Sequence, residues 1–102
     1  MHKDAEEATA RACKNLNIPM ILSTAATRTI EQVAKANSDG ERWYQLYWPR
    51  PQDEEVTLSL LKRAKENGYG VLVVTLDTFN LAWRPYDVSF PCFSLSRRLL
   101  AN

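Results

Sequence analysis

Apolar positions along the chain follow two rhythms that alternate. Ala5, Ala8, Ala12 and Leu16 recur at spacings of three and four, the period of a helix with one apolar stripe. Asp4 followed by Glu7 has the form of a capping box at its start, while Asn15, Asn17 and Pro19 end it. Ile18 to Leu22, closing in Ser23-Thr24, predicts a short strand. Thr29 and Gln32 repeat the capping-box spacing, and Ile30, Val33 and Ala34 give a second helix its apolar face before the turn residues Asn37-Ser38-Asp39-Gly40. Arg42 to Trp48 predicts a second strand, with Gln45 and Tyr47 on one face and Tyr44 and Leu46 on the other. Pro49 and Pro51 stop it. Asp53-Glu54-Glu55 opens a third helix, in which Val56, Leu60 and Ala64 recur every four residues beside Leu61, with Lys62, Arg63 and Lys65 toward its end and Gly68 beyond it. The run Val71-Leu72-Val73-Val74 reads as a third strand buried on both faces. No period is sustained past Asp87, so 88–102 is expected to be an irregular tail.

Strands near 18–23, 42–48 and 70–76, alternating with helices, are the grammar of an α/β fold with parallel strands and right-handed crossovers. Each strand ends in polar residues: Ser23 and Thr24, Gln45 and Tyr47, Thr75 and Asp77. Ligands of α/β proteins sit at that edge of the sheet, whether it is open or closed into a barrel, so three polar ends predict a site there. Thr75 and Asp77 project to one side of their strand, and Arg84 follows seven residues later. Taken alone, these residues leave plainer roles open. Asp77 is equally a turn cap, Arg84 a solvated loop charge, Ser23 and Thr75 hydroxyls bonded to backbone, and Tyr47 an interface aromatic. Trp43, Trp48 and Trp83 read first as packing residues. No glycine-rich fingerprint follows the first strand and no P-loop motif occurs, which argues against a dinucleotide or nucleotide-phosphate fold.

Composition narrows the function class further. The chain has 102 residues, 45% hydrophobic and 25% charged, as in an ordinary soluble domain. Thirteen Lys and Arg against twelve Asp and Glu leave a formal charge of +1 without a basic block, so neither nucleic acid nor an anionic membrane is an expected partner. Cys13 and Cys92 form no pair motif and the one histidine is His2, so no metal site is expected and the thiols are read as free. With no apolar run of membrane-spanning length and no signal-peptide pattern at the start, a cytoplasmic location is expected.

The motifs Ile21-Leu22-Ser23-Thr24, Ile30-Glu31-Gln32-Val33-Ala34, Trp43-Tyr44-Gln45-Leu46-Tyr47, Val74-Thr75-Leu76-Asp77-Thr78 and Trp83-Arg84-Pro85-Tyr86-Asp87 resemble, in this order and spacing, the FMN-dependent 2-hydroxy-acid oxidoreductases. Glycolate oxidase, lactate oxidase, lactate 2-monooxygenase and flavocytochrome b2 belong to that family, and Tyr47-Trp48 with Trp83-Arg84 is most similar to its lactate 2-monooxygenase branch. The resemblance covers residues 4 to 90 and departs at Ala82, where glycine is usual, and at Phe79, where proline is common. It implies a (β/α)8 barrel of which this chain supplies the second, third and fourth β/α units. FMN is then the cofactor, a small lactate-like 2-hydroxy acid the substrate, and its 2-oxo acid or decarboxylated derivative the product, in a homo-oligomeric parent enzyme. Ser23, Gln45 and Thr75 would lie against the flavin. Tyr47 would hydrogen-bond the substrate carboxylate and Arg84 would grip it in a fork, while Asp77 would steady a proton-accepting histidine. A barrel of this type needs roughly 250 residues, so residues 1–102 are read as an incomplete domain without the family's catalytic histidine, expected to be inactive alone. The alternative is a non-catalytic βαβ module that binds a partner through its open sheet edge.

Overall fold

Two signals decide where the elements begin and end: apolar periodicity, and residues able to take a left-handed backbone at the turns. The computed structural model describes residues 3–48 and 53–76. Within them lie α1 (Ala5–Asn15), β1 (Met20–Ser23), α2 (Ile30–Asn37), β2 (Arg42–Tyr47), α3 (Glu54–Glu66) and β3 (Val71–Thr75). Asn17 at φ 54° and Gly68 at φ 74° turn the chain out of α1 and α3. The expected capping box of α2 is complete: Gln32 N–H donates to Thr29 Oγ1 at 3.2 Å, and Thr29 N–H to Gln32 Oε1 at 3.0 Å. The expected tail at 88–102 and the stop at Pro49 and Pro51 lie outside the described residues.

The three strands are parallel and stand in the order β1-β2-β3, with Met20 opposite Arg42 and Trp43 opposite Val71. Strand alternation then assigns the faces. Met20 and Leu22 of β1 and Tyr44 and Leu46 of β2 point to one side, where they form a buried core with Ala10 and Cys13 of α1, Ile30, Val33 and Ala34 of α2, and Ala64 of α3. Ile21, Ser23, Trp43, Gln45, Tyr47, Val71, Val73 and Thr75 share the other side. The leading helix α1 and the two crossover helices α2 and α3 therefore pack on a single face of a sheet whose spatial order is its chain order. A doubly wound fold places helices on both faces; this singly wound arrangement is that of consecutive units of a (β/α)8 barrel.

Three local expectations are corrected. The buried stripe of α1 runs through Ala10 and Cys13, while Leu16 is 70% exposed. The helix is oriented by its crossing with α2, where the Asn37 side-chain amide donates to Ala10 O at 3.1 Å and small residues permit close approach. Asp4 makes no side-chain cap, because its carboxylate bonds Arg11 at 2.7 Å instead. β3 is not buried on both faces: Val71, Leu72 and Val74 are each about two-fifths exposed. Its pairing to β2 covers one edge, and on its helix side Leu72 lines an open groove together with Leu61 and Ala64 of α3.

The amino-terminal ends of the strands are closed by polar contacts. Arg42 donates to Asn67 O at 2.9 Å, Ser38 O at 2.7 Å, Gly40 O at 3.2 Å and Asn37 Oδ1 at 3.1 Å. Its guanidinium also lies 5.9 Å from the Tyr69 ring centroid. Tyr69 meets Tyr44 edge to face at 6.0 Å and donates its hydroxyl proton to Ile30 O at 3.0 Å; burial pushes its pKa up to about 12. Asn37, which the sequence reads as a turn residue, is the last residue of α2 and fully buried. It sits on the same helical face as Ile30, Val33 and Ala34, one full heptad after Ile30, and that spacing is the signal which identifies it.

Candidate functional site

At the carboxyl-terminal ends of the strands the polar residues form a chain of hydrogen bonds across the sheet. Ser23 and Gln45 are register partners, and so are Tyr47 and Thr75. The Gln45 side chain is long enough to bridge two rows. Its Oε1 accepts from Ser23 Oγ at 3.3 Å and from Thr24 N–H at 3.2 Å, and its Nε2 donates to Thr75 Oγ1 at 2.7 Å. These partners fix which end of the amide is oxygen. They also fix the direction of the chain: the Thr75 hydroxyl accepts from Gln45, and among the described residues neither the Thr75 hydroxyl proton nor the second Gln45 N–H has an acceptor. Ser23 Oγ accepts from Ala25 N–H at 3.1 Å while donating to Gln45.

Among the described residues, the edge therefore presents hydrogen-bond donors, from Gln45 and Thr75, on the sheet face that no described helix covers. Tyr47 shares that face two residues beyond Gln45, and its side chain is 43% exposed. Trp48, expected to pack, is 70% exposed, and Trp43 is half-buried with its indole N–H on Glu41 Oε1 at 2.9 Å. The structure thus brings Ser23, Gln45 and Thr75 into one network and sets Tyr47 on the same face. Asp77, Arg84 and Trp83 lie outside the described residues.

Thr24 is a member the sequence left unassigned. Its N–H reaches Gln45 O at 3.0 Å as well as the Gln45 side chain, and its hydroxyl donates to Gln45 O. A hydroxyl residue directly after a polar strand end was the signal. Glu6 was not legible, since it meets its partners 21 and 22 residues away: it accepts from Thr27 N–H at 3.0 Å, Thr27 Oγ1 at 2.8 Å and Arg28 N–H at 3.2 Å. Burial raises the Glu6 pKa, but these hydrogen bonds outweigh it and hold the carboxyl below its ordinary value. On the opposite, helix-covered face an open groove is lined by Tyr44, Leu61, Ala64, Lys65, Tyr69 and Leu72. Among the described residues no three His, Cys, Asp or Glu side chains cluster as a metal site, and no helix is long and apolar enough to cross a membrane.

A family sequence profile, described as FMN-dependent dehydrogenase, matches residues 1–101. The chain is 54% identical over 96 residues to the FMN-dependent alpha-hydroxy acid dehydrogenase qulF of Penicillium citrinum, which covers 91% of this chain and 23% of that protein. It is 46% identical over 87 residues to human 2-hydroxyacid oxidase 1, covering 85% of this chain and 23% of that one. Among solved structures it superposes on a lactate oxidase described as putative, from Pediococcus acidilactici, with a TM-score of 0.74 at 28% identity, over 85% of this chain and 24% of that one. On the flavin-binding domain of baker's yeast flavocytochrome b2 the TM-score is 0.72 at 30% identity, over 84% and 22%. The chain spans just under a quarter of the length of each of these proteins. With the singly wound parallel sheet and its polar edge, this agreement across nearly every residue shows that the chain belongs to the FMN-dependent dehydrogenase family.

Proposed function

We propose that this chain forms one wall of a flavin and substrate site that oxidises a small, lactate-like 2-hydroxy acid to its 2-oxo acid or a decarboxylated derivative. The observation that carries the reading is the donor-bearing chain Ser23–Gln45–Thr75 at the carboxyl edge of the bare sheet face. Two donors side by side fit the acceptor-rich rim of a flavin ring, and FMN when bound supplies the two-electron acceptor. Ser23 and Gln45 hold the network rigid, and Thr75 and Gln45 direct N–H and O–H groups at the ring. Tyr47, with no hydrogen-bond partner among the described residues, donates its phenolic proton to the substrate carboxylate. Arg84 pairs with the same carboxylate through a guanidinium fork, and Asp77 orients a histidine that takes the substrate's hydroxyl proton. The only histidine of the 102 residues is His2, so these residues by themselves do not turn over.

The test is a chimera. Residues 4–76 replace the matching segment of human 2-hydroxyacid oxidase 1, and flavin content and oxidation of lactate and glycolate are measured. A yellow, active chimera that loses FMN affinity about tenfold on Gln45→Ala supports the assignment, a factor equal to one net hydrogen bond to a charged or strongly polarised group. Full FMN affinity in Gln45→Ala and Thr75→Val would remove it. The 102-residue chain assayed alone is expected to show no turnover; measurable oxidation by it would overturn that part.

A further inference from the structure

The loop 24–29, which leads from the polar edge into α2, is short of apolar anchors. Ala25, Thr27 and Thr29 are exposed, and only Ala26 packs against the core. Yet this loop carries the two backbone N–H groups that orient the site: Thr24 N–H on Gln45 Oε1, and Ala25 N–H on Ser23 Oγ. Its far end is tied by the Thr29–Gln32 capping box. Its middle is held by a carboxylate from another element, Glu6 of α1, through the three bonds to Thr27 and Arg28. Neighbouring contacts reinforce the attachment: Arg28 Nε lies 3.5 Å from Glu7 Oε1, and Arg28 Nη2 donates to Lys3 O at 3.3 Å.

We infer that Glu6 is a positioning residue for the polar edge, acting through Thr27 and Arg28 to set the loop that aims Gln45 and Ser23. The argument is one of donor and acceptor count. Thr27 N–H and Arg28 N–H point at different oxygens of one carboxylate, and both need an acceptor. No neutral side chain of this shape supplies two. In Glu6→Gln the amide NH2 must face one of the two N–H groups, so that strand of the attachment is broken whichever way the amide turns. A loop with Ala26 as its one apolar anchor then relaxes, and its two orienting N–H groups move with it.

The consequence for flavin rests on the function proposed above; the consequence for the geometry does not. In nitrogen-15 spectra of the 102-residue chain, Glu6→Gln is expected to shift the backbone amides of Thr24 and Ala25 and the side-chain NH2 of Gln45. Hydrogen exchange at Thr24 should rise about tenfold, the factor for one lost hydrogen bond of this class, while Val33 and Leu46 stay put. Thr27→Val, which removes one of the three bonds and keeps both backbone contacts, should move the same signals less; it decides the matter if Glu6→Gln does not fold. Movement confined to Thr27 and Arg28, with Thr24, Ala25 and Gln45 unchanged, would overturn the inference. In the chimera, Glu6→Gln should lower FMN affinity and Glu55→Gln, on the exposed surface of α3, should not. If Gln45→Ala leaves FMN affinity intact there, the flavin assignment fails, and the spectra of the 102-residue chain still judge Glu6 by themselves.

Discussion

The two ends of the sheet use the same kinds of polar residue to opposite effect. At the amino-terminal end, Arg42, Asn37 and Tyr69 each end on protein partners: Arg42 on four acceptors, Asn37 on Ala10 and Arg42, and Tyr69 on Ile30. At the carboxyl-terminal end, Gln45 and Thr75 satisfy each other only in part among the described residues. A network that is complete stabilises, and one that stops with donors facing open space is prepared for something else to accept them. Barrel enzymes divide their two faces in this way, one for stability and one for chemistry. In this chain the division is visible within three strands.

The sharpest way to break the comparison is Arg42→Ala. It leaves the Asn67, Ser38 and Gly40 carbonyls and the Asn37 side chain short of a donor, and is expected to cost about 3 kcal/mol in urea unfolding. A loss below about 1 kcal/mol would mean that water replaces the guanidinium freely. Gly40→Ala is expected to follow at about 2 kcal/mol. The added Cβ would stand 2.7 Å from Asn37 Nδ2, and Asn37 is pinned by Ala10 and Arg42. At the other end Gln45→Ala should cost the fold less than about 1 kcal/mol, since its partners are near solvent, while FMN affinity in the chimera falls about tenfold. Equal losses of stability at both ends would erase the distinction.

The smallest expected effect belongs to neither end. Arg63 of α3 grips Glu31 of α2 at 2.8 and 2.9 Å, and that hydrogen-bonded guanidinium lowers the Glu31 pKa from 4.5 to about 2. Because the folded value is the lower one, the bridge's contribution is fully present above pH 4.5 and is lost as pH falls from there toward about 2. The pair is largely exposed, so solvent screening limits it to about 0.5 kcal/mol. Unfolding midpoints at pH 6 and pH 3 should therefore differ slightly less for Glu31→Gln than for the unsubstituted chain, and an identical pH dependence in both would remove the contribution.

What the chain's pattern revealed and what it concealed follow a physical line. Alternation within Trp43-Tyr44-Gln45-Leu46-Tyr47 is a local property of a strand, and it placed Gln45 and Tyr47 on the correct face. The Thr29–Gln32 box is equally local. The stripe of α1 differs from the alanine spacing because that spacing alone does not say which side another helix will cross; Asn37, 27 residues from Ala10, makes that choice. Asp4 failed as a cap because Arg11, two turns on, competed for its carboxylate. The four apolar residues of β3 promised burial on both faces, but burial also depends on what packs against the strand. Glu6 escaped notice for the same reason as Asn37: its role is a long-range contact with no local period.

Because the order of the strands in space is their order in the chain, every strand pairing joins nearest units. Met20 lies 22 positions before its partner Arg42 (42 minus 20), and Trp43 lies 28 before Val71 (71 minus 43). Closing such intervals carries a modest entropy penalty. Each unit can dock on its predecessor as it leaves the ribosome, without waiting for distant sequence. During synthesis each of the described strands can therefore pair with the one made just before it.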